Sequence, residues 1–245
     1  MYLKGGFFMS MFVNAAEDGS YSLNSTGIAA VIVLIVLLLV ITGFFKDHDK
    51  KVAEKAYEKG RKSVFSVRQL TFSAIGTALA FVLSYVKIFH MPWGGSVTLC
   101  SMLFVALIGN WYGLKIGLIS GFVYGCLQFL QGGGSYILDP LQAGLDYFFA
   151  FTALGLSGAF KNLKKGSLAV GYTVAIIVRG ALHSIGGYLY WMDYMPDNFP
   201  SSLASVYPIL YNYAYILAEG VITLIVISLP PVRKALIKIK ELATQ

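Results

Sequence analysis

Seven apolar stretches, at about 27–45, 68–86, 97–110, 113–131, 141–160, 168–190 and 206–229, dominate this 245-residue chain. A helix needs about 20 residues to cross a hydrocarbon core about 30 Å thick, and most of these stretches approach or exceed that length. The third is short. Lipid offers no partner for backbone N–H and C=O groups, so the segments must satisfy their own hydrogen bonds as helices rather than as an open sheet. Only 13% of residues are charged, against about 25% in soluble domains. The expected fold is therefore an all-α, multi-pass integral membrane protein.

Charge placement predicts its orientation. All of the 19 lysines and arginines except Lys4, Lys87 and Arg179 fall in or beside alternate connections: 46–68, around Lys115, Lys161–Lys165 and Arg233–Lys240. Glu17, Asp18, Asp139, Asp193 and Asp197 lie in the opposite connections. Positive residues stay cytoplasmic, which puts the N-terminus outside and the C-terminus inside a cell membrane. The net charge of +7 is thus a topology signal that also favours anionic lipid, not nucleic acid.

The chain divides into an extracellular segment 1–26, an anchor helix 27–45, a charged cytoplasmic linker 46–65 and a functional body 66–245. The anchor has no polar residue between Ala29 and Ile41. Residues 1–16 carry the elements of a short signal peptide, namely Lys4, an apolar patch to Val13, then Ala15 and Ala16. That patch is at the lower length limit, and the segment is read as retained. Cys100 and Cys126 sit in apolar runs and read as small buried hydrophobes. Neither metal-ligand spacing nor a phosphate-binding loop occurs, and no cofactor or metal is expected.

Four ionisable residues interrupt the apolar runs: Asp146, Arg179, His183 and Glu219. A charge at the bilayer centre costs about 2.5–3.5 kcal/mol on insertion scales, so such groups face a partner or a ligand. Asp146, beside Tyr147, is read either as an ion pair with Arg179 or as the counter-ion of a cationic ligand. Arg179, His183, Gly187 and Trp191 recur every four residues and share one helix face, where Gly187 leaves room for a ligand or a loop. Asn212, near Tyr207, both donates and accepts, which suits either interhelical bonding or recognition of a heteroaromatic base. Trp93, followed by two glycines, is a membrane-interface anchor or a lid. Ala74 and Ala78, one turn apart, permit close helix packing within the bundle or against another subunit. Glu219 lies deeper, with no assigned role.

Several of these pieces occur together, in order: Val67-Arg68-Gln69-Leu70-Thr71 leading into Ala74 and Ala78, Trp93, Ser135-Tyr136-Ile137-Leu138, and Leu145-Asp146-Tyr147 with Ala150-Phe151. Arg179, His183, Gly187 and Trp191 follow, then Tyr207 with Asn212. From Ser66 onward the chain resembles the thiamine-specific substrate-binding subunits (S components) of energy-coupling-factor (ECF) transporters. The resemblance implies a six-helix S-component-like bundle, here preceded by one extra N-terminal transmembrane helix that the family pattern lacks.

It also implies thiamine bound near the extracellular helix ends and lined by Trp93, Tyr136, Asp146, Tyr147, His183, Gly187, Trp191, Tyr207 and Asn212, with Arg179 bracing Asp146. Asp146 would offset the thiazolium charge, the indoles of Trp191 and Trp93 would stack on the rings, and Asn212, Tyr207 and His183 would read the pyrimidine edge. Ala74 and Ala78 would meet a transmembrane coupling subunit that works with two ATPase subunits. Two departures stand out: the family can carry Glu where this chain has Asp146, and Lys where it has Arg179. A proton-coupled carrier using Asp146, His183 and Glu219, an S component for another vitamin, and an intramembrane enzyme using His183 and Asp146 are the rival readings. The last has no nucleophile or metal cluster to support it.

Overall fold

The computed structural model describes residues 13–15, 21–23, 25, 66–132 and 137–245. The expected anchor 27–45, the linker 46–65 and Tyr136 lie outside the described residues. The chain forms two units, one of Met1–Val67 with Gly134–Asp139, the other of Arg68–Gly133 with Pro140–Gln245. In the first, β1 (Val13–Ala15) pairs antiparallel with β2 (Tyr21–Leu23).

The second unit is the helical bundle. Its helices are α1 (Val67–Ser84), α2 (Ser101–Tyr112), α3 (Leu114–Gly132), α4 (Pro140–Phe160), α5 (Ser167–Tyr190) and α6 (Tyr207–Ser228). A further helix, α7 (Pro230–Thr244), follows. Among the described residues, five helices are long and apolar enough to cross a membrane, and α2 is shorter. These match the six expected body segments to within a few residues. Apolar side chains point outward along them, including Ile75, Val82, Ile119, Val123, Ile177, Ile185, Val221 and Ile225. Such exposure suits lipid as the solvent.

Helix α2 explains why one segment looked short. Its 12 residues rise about 18 Å, too little for a span. The chain reaches it through a hairpin, β3 (Lys87–His90) with β4 (Ser96–Thr98), which replaces the expected loop. Protein covers its second strand, where Val97 and Thr98 are buried. At the other end Gly113, with φ 98°, turns the chain directly into α3.

Close backbone approach organises the centre. Gly117, Gly121 and Gly125 recur every four residues on α3, and a Cβ on any of them would collide with backbone of α4. Small residues at this spacing let helices pack at short range without polar groups. Around the seam lies a core of Met102, Val105, Tyr124, Phe151, Leu154, Tyr172, Ile176 and Ile216. Cys100 is buried as expected, whereas Cys126 is only partly so.

Helix α4 is irregular. It runs as a short α-turn, a π-helical stretch over Gly144–Phe149, another α-turn and a 3-10 stretch over Ala153–Phe160. A π-turn inserts a residue into the helical ladder and is common where function re-aims a side chain. Asp146 sits inside this one. Helix α7 begins at Pro230-Pro231 and turns Leu236 towards α2, where the Tyr112 hydroxyl donates to the Ala243 carbonyl at 3.0 Å. The sequence had suggested only a basic cytoplasmic tail there.

Candidate functional site

Helices α4, α5 and α6 bring Asp146, His183 and Asn212 to one end of the bundle, opposite the end where Tyr112 meets α7. The Asp146 carboxylate is held by neutral donors. Gln142, one turn earlier on α4, donates from Nε2 to Oδ2 at 2.7 Å, and the Trp191 indole N–H donates to the same oxygen at 3.1 Å. Oδ1 faces His183 Nδ1 at 3.6 Å. Behind it stands Gly186: a Cβ there would come within 2.8 Å of Oδ1, so glycine makes the space this carboxylate occupies.

Of the two readings of Asp146, the ion pair with Arg179 does not form. Arg179 is one turn before His183 on α5, and its Nε donates to His183 Nε2 at 3.3 Å. With Nε2 accepting, the imidazole carries its hydrogen on Nδ1, the atom turned to Asp146. The guanidinium lies over the Phe151 ring at 4.4 Å from the centroid and also donates to the Met102 sulfur. Arg179 and His183 are each 9% exposed. Among the described residues no lysine or arginine lies within ion-pair distance of Asp146. The acid is therefore oriented by neutral donors, with no lysine or arginine in direct contact among the described residues.

Asn212 joins this group from α6. Its Nδ2 donates to the Pro208 carbonyl at 2.9 Å and the His183 carbonyl at 3.3 Å, and its Oδ1 accepts from the Tyr215 hydroxyl at 3.1 Å. Gly187 does not leave room for a ligand. A Cβ there would meet Pro208 at 2.7 Å, so that glycine admits α6, with Asn212 close by. Tyr207 is buried, edge-on to Phe199 at 4.9 Å and 5.8 Å from Tyr211. Tyr147 packs against the core and stands edge-on to Phe129 at 5.6 Å.

The hairpin tip carries Trp93, which is 55% exposed and reaches the group only indirectly. Its ring lies 5.8 Å from Tyr194, which lies 5.6 Å from Trp191. The result is an aromatic chain from the tip to the indole that holds Asp146. Ala74 and Ala78 take no part in internal packing: both are exposed on α1, while Gly76 turns inward to Ile108. Only 17% of α1 is buried, against 56% of α4, so α1 offers its face outward.

Sequence reasoning missed Gln142, Gly186 and Tyr194, and gave no role to Tyr211 and Tyr215, which lie near Asn212 in sequence. Gln142 had a readable signal in its i, i+4 spacing to Asp146. The missing role of Glu219 is also resolved. It is 2% exposed and accepts from the Thr98 N–H (2.8 Å), the Thr98 hydroxyl (2.7 Å), the Ser101 hydroxyl (3.3 Å) and the Met102 N–H (3.3 Å). It closes the buried N-terminus of α2, where unpaired N–H groups and the helix dipole favour an anion.

Comparison with known proteins now bears on this arrangement. A family model described as "Thiamine transporter protein (Thia_YuaJ)" matches residues 70–239. The thiamine transporter ThiT of Bacillus subtilis (strain 168) is 33% identical over 170 residues, covering 64% of this chain and 86% of that protein. Thiamine transporter ThiT of Lacticaseibacillus paracasei is 32% identical over 171 residues, covering 64% and 83%. A solved ThiT structure from Listeria monocytogenes superposes with a TM-score of 0.51 at 25% identity, covering 66% of this chain and 94% of that one. A match that runs through all six bundle helices, on a helical fold shared with a solved relative, places the chain by descent: it belongs to the thiamine transporter protein family (Thia_YuaJ).

Proposed function

We propose that this membrane protein binds thiamine at the Asp146–His183–Asn212 end of the bundle, as the substrate-specific subunit of an ECF-type transporter. Membership of a thiamine transporter family supports the substrate. The observation that carries the site is the Asp146 carboxylate, oriented by Gln142 and Trp191 with no lysine or arginine on it among the described residues. A permanent thiazolium cation supplies the missing charge in a medium of low dielectric. Trp191 and Trp93 offer ring faces to the cation and the pyrimidine, and Asn212, Tyr207 and His183 are set to read the aminopyrimidine edge, Asn212 through the second lone pair of Oδ1 because both its N–H groups are engaged. Tyr147 completes the proposed lining, to which the family resemblance adds Tyr136, outside the described residues; Gly187 and Arg179 act behind it, the first by admitting α6 and the second by orienting His183.

The shorter acid in place of Glu is accommodated from three sides. The π-turn re-aims α4, Gly186 removes a Cβ, and Gln142 ties the carboxylate in place. On this reading the site opens to the outside, with the N-terminus outside and the C-terminus cytoplasmic in the cell membrane. Segment 27–45 anchors the chain and 46–65 links it to the body. The exposed Ala74/Ala78 face receives a transmembrane coupling subunit, and two ATPase subunits drive uptake. The proton-carrier reading gains no support, because Glu219 is engaged by fixed donors of β4 and α2 rather than grouped with His183.

Purified protein in detergent tests the proposal. Titration with thiamine quenches tryptophan fluorescence saturably, whereas riboflavin, pyridoxine and biotin do not. A protein that binds one of those three and leaves thiamine in solution contradicts it.

A further inference from the structure

The tip of the β3–β4 hairpin is seized by two tyrosines of α6 that no reading of the site has used. The Tyr211 hydroxyl accepts from the Trp93 backbone N–H at 2.8 Å and donates to the Gly94 carbonyl at 3.0 Å. One oxygen thus binds a donor and an acceptor on consecutive residues, which fixes the position and direction of that peptide. One turn further along α6, the Tyr215 ring lies against Gly95. A Cβ there would stand 2.6 Å from ring Cε1, and φ at Gly95 is +83°, so only glycine seats the tip here. Strand β3, by contrast, is exposed along its whole length.

Tyr215 also donates to Asn212 Oδ1 and stands 6.4 Å from the His183 ring. The helix that presents Asn212 to a ligand therefore also grips the loop that carries Trp93. We propose that Tyr211 is the latch of this outer loop, a positioning residue whose hydroxyl sets how long bound thiamine stays. The inference rests on the thiamine reading given above. Both bonds form with no ligand present, so opening the loop breaks them whether thiamine is leaving or arriving. The latch thus sets the barrier to opening and slows exit and entry alike, holding bound thiamine longer with little change in affinity.

Full-length protein and its Tyr211→Phe variant, which keeps the ring and loses only the hydroxyl, are compared by stopped-flow tryptophan fluorescence. The expected outcome is a dissociation rate raised roughly tenfold, the equivalent of one to two net hydrogen bonds, with the association rate raised in step and affinity changed less than about twofold. A second variant, Gly95→Ala, pushes the tip off Tyr215 and raises the dissociation rate as well. A merely structural role for Tyr211 would lower thermal stability and weaken affinity without raising the association rate. If wild type binds thiamine and Tyr211→Phe dissociates at the wild-type rate, the latch is wrong and the thiamine reading stands. If wild type does not bind thiamine, that reading is wrong, and backbone hydrogen exchange over 91–96 judges the latch alone. Faster exchange in Tyr211→Phe supports it, and equal exchange overturns it.

Discussion

Two acidic side chains lie inside this bundle, Glu219 buried and Asp146 only partly so, and their surroundings differ in kind. Glu219 accepts from two backbone N–H groups and two hydroxyls contributed by β4 and the start of α2. Those donors belong to the fold, and the carboxylate satisfies groups that would otherwise be orphaned at a helix end inside protein. Asp146 accepts from the tips of two side chains, Gln142 and Trp191, and faces a third, His183. All three can turn without unfolding a helix. A membrane protein therefore holds an acid for either of two reasons. Glu219, tied to backbone N–H groups, supports structure, and the proposed role of Asp146, held without them, is to meet a cation.

The largest effect expected from breaking this contrast is at Glu219. Glu219→Ala leaves buried donors unpaired and costs about 3–5 kcal/mol. It should appear as a sharply lowered unfolding temperature in detergent, with or without thiamine. Next comes Asp146→Asn, which preserves shape and removes charge. Thiamine affinity should fall roughly 100-fold, about 3 kcal/mol, while the ligand-free unfolding temperature stays near wild type. If Asp146→Asn unfolds the protein as Glu219→Ala does, the contrast is void.

Gly186→Ala sharpens the comparison without touching either acid. Its Cβ would crowd Asp146 Oδ1, displacing the carboxylate from Gln142 and Trp191. Overpacking of about 2 kcal/mol predicts thiamine affinity reduced roughly 30-fold, measured by the same titration. The smallest effect belongs to Trp191→Phe, which keeps a ring and loses the N–H donor to Oδ2. One hydrogen bond to a charged acceptor predicts a loss of about 1.5 kcal/mol, with the fluorescence change on binding also diminished.

What the sequence disclosed follows from the same physics. Hydropathy located the six body helices because lipid demands long apolar runs, and the four-residue recurrence of Arg179, His183, Gly187 and Trp191 placed them on one face. The π-turn around Asp146 left no trace, since one inserted residue does not disturb an apolar run. The hairpin over Lys87–Thr98 looked like a loop because only its second strand is buried. Gly187 was credited with space that Pro208 fills, while its neighbour Gly186 makes room for the acid. Glycines in adjacent positions face different helices, and only tertiary packing tells them apart. Arg179 was matched to Asp146 by charge, yet geometry routes it through His183. Glu219 carried no readable role because its partners lie about 120 positions away in sequence.

The central claim is that Asp146 recognises the positive charge of the ligand. It is tested most directly by titrating wild type and Asp146→Asn with thiamine and with an analogue whose thiazolium is replaced by a neutral ring of the same shape. Wild type should prefer the cation by roughly 100-fold, and the variant should bind both alike. A variant that still favours the cation by the wild-type margin would contradict the account.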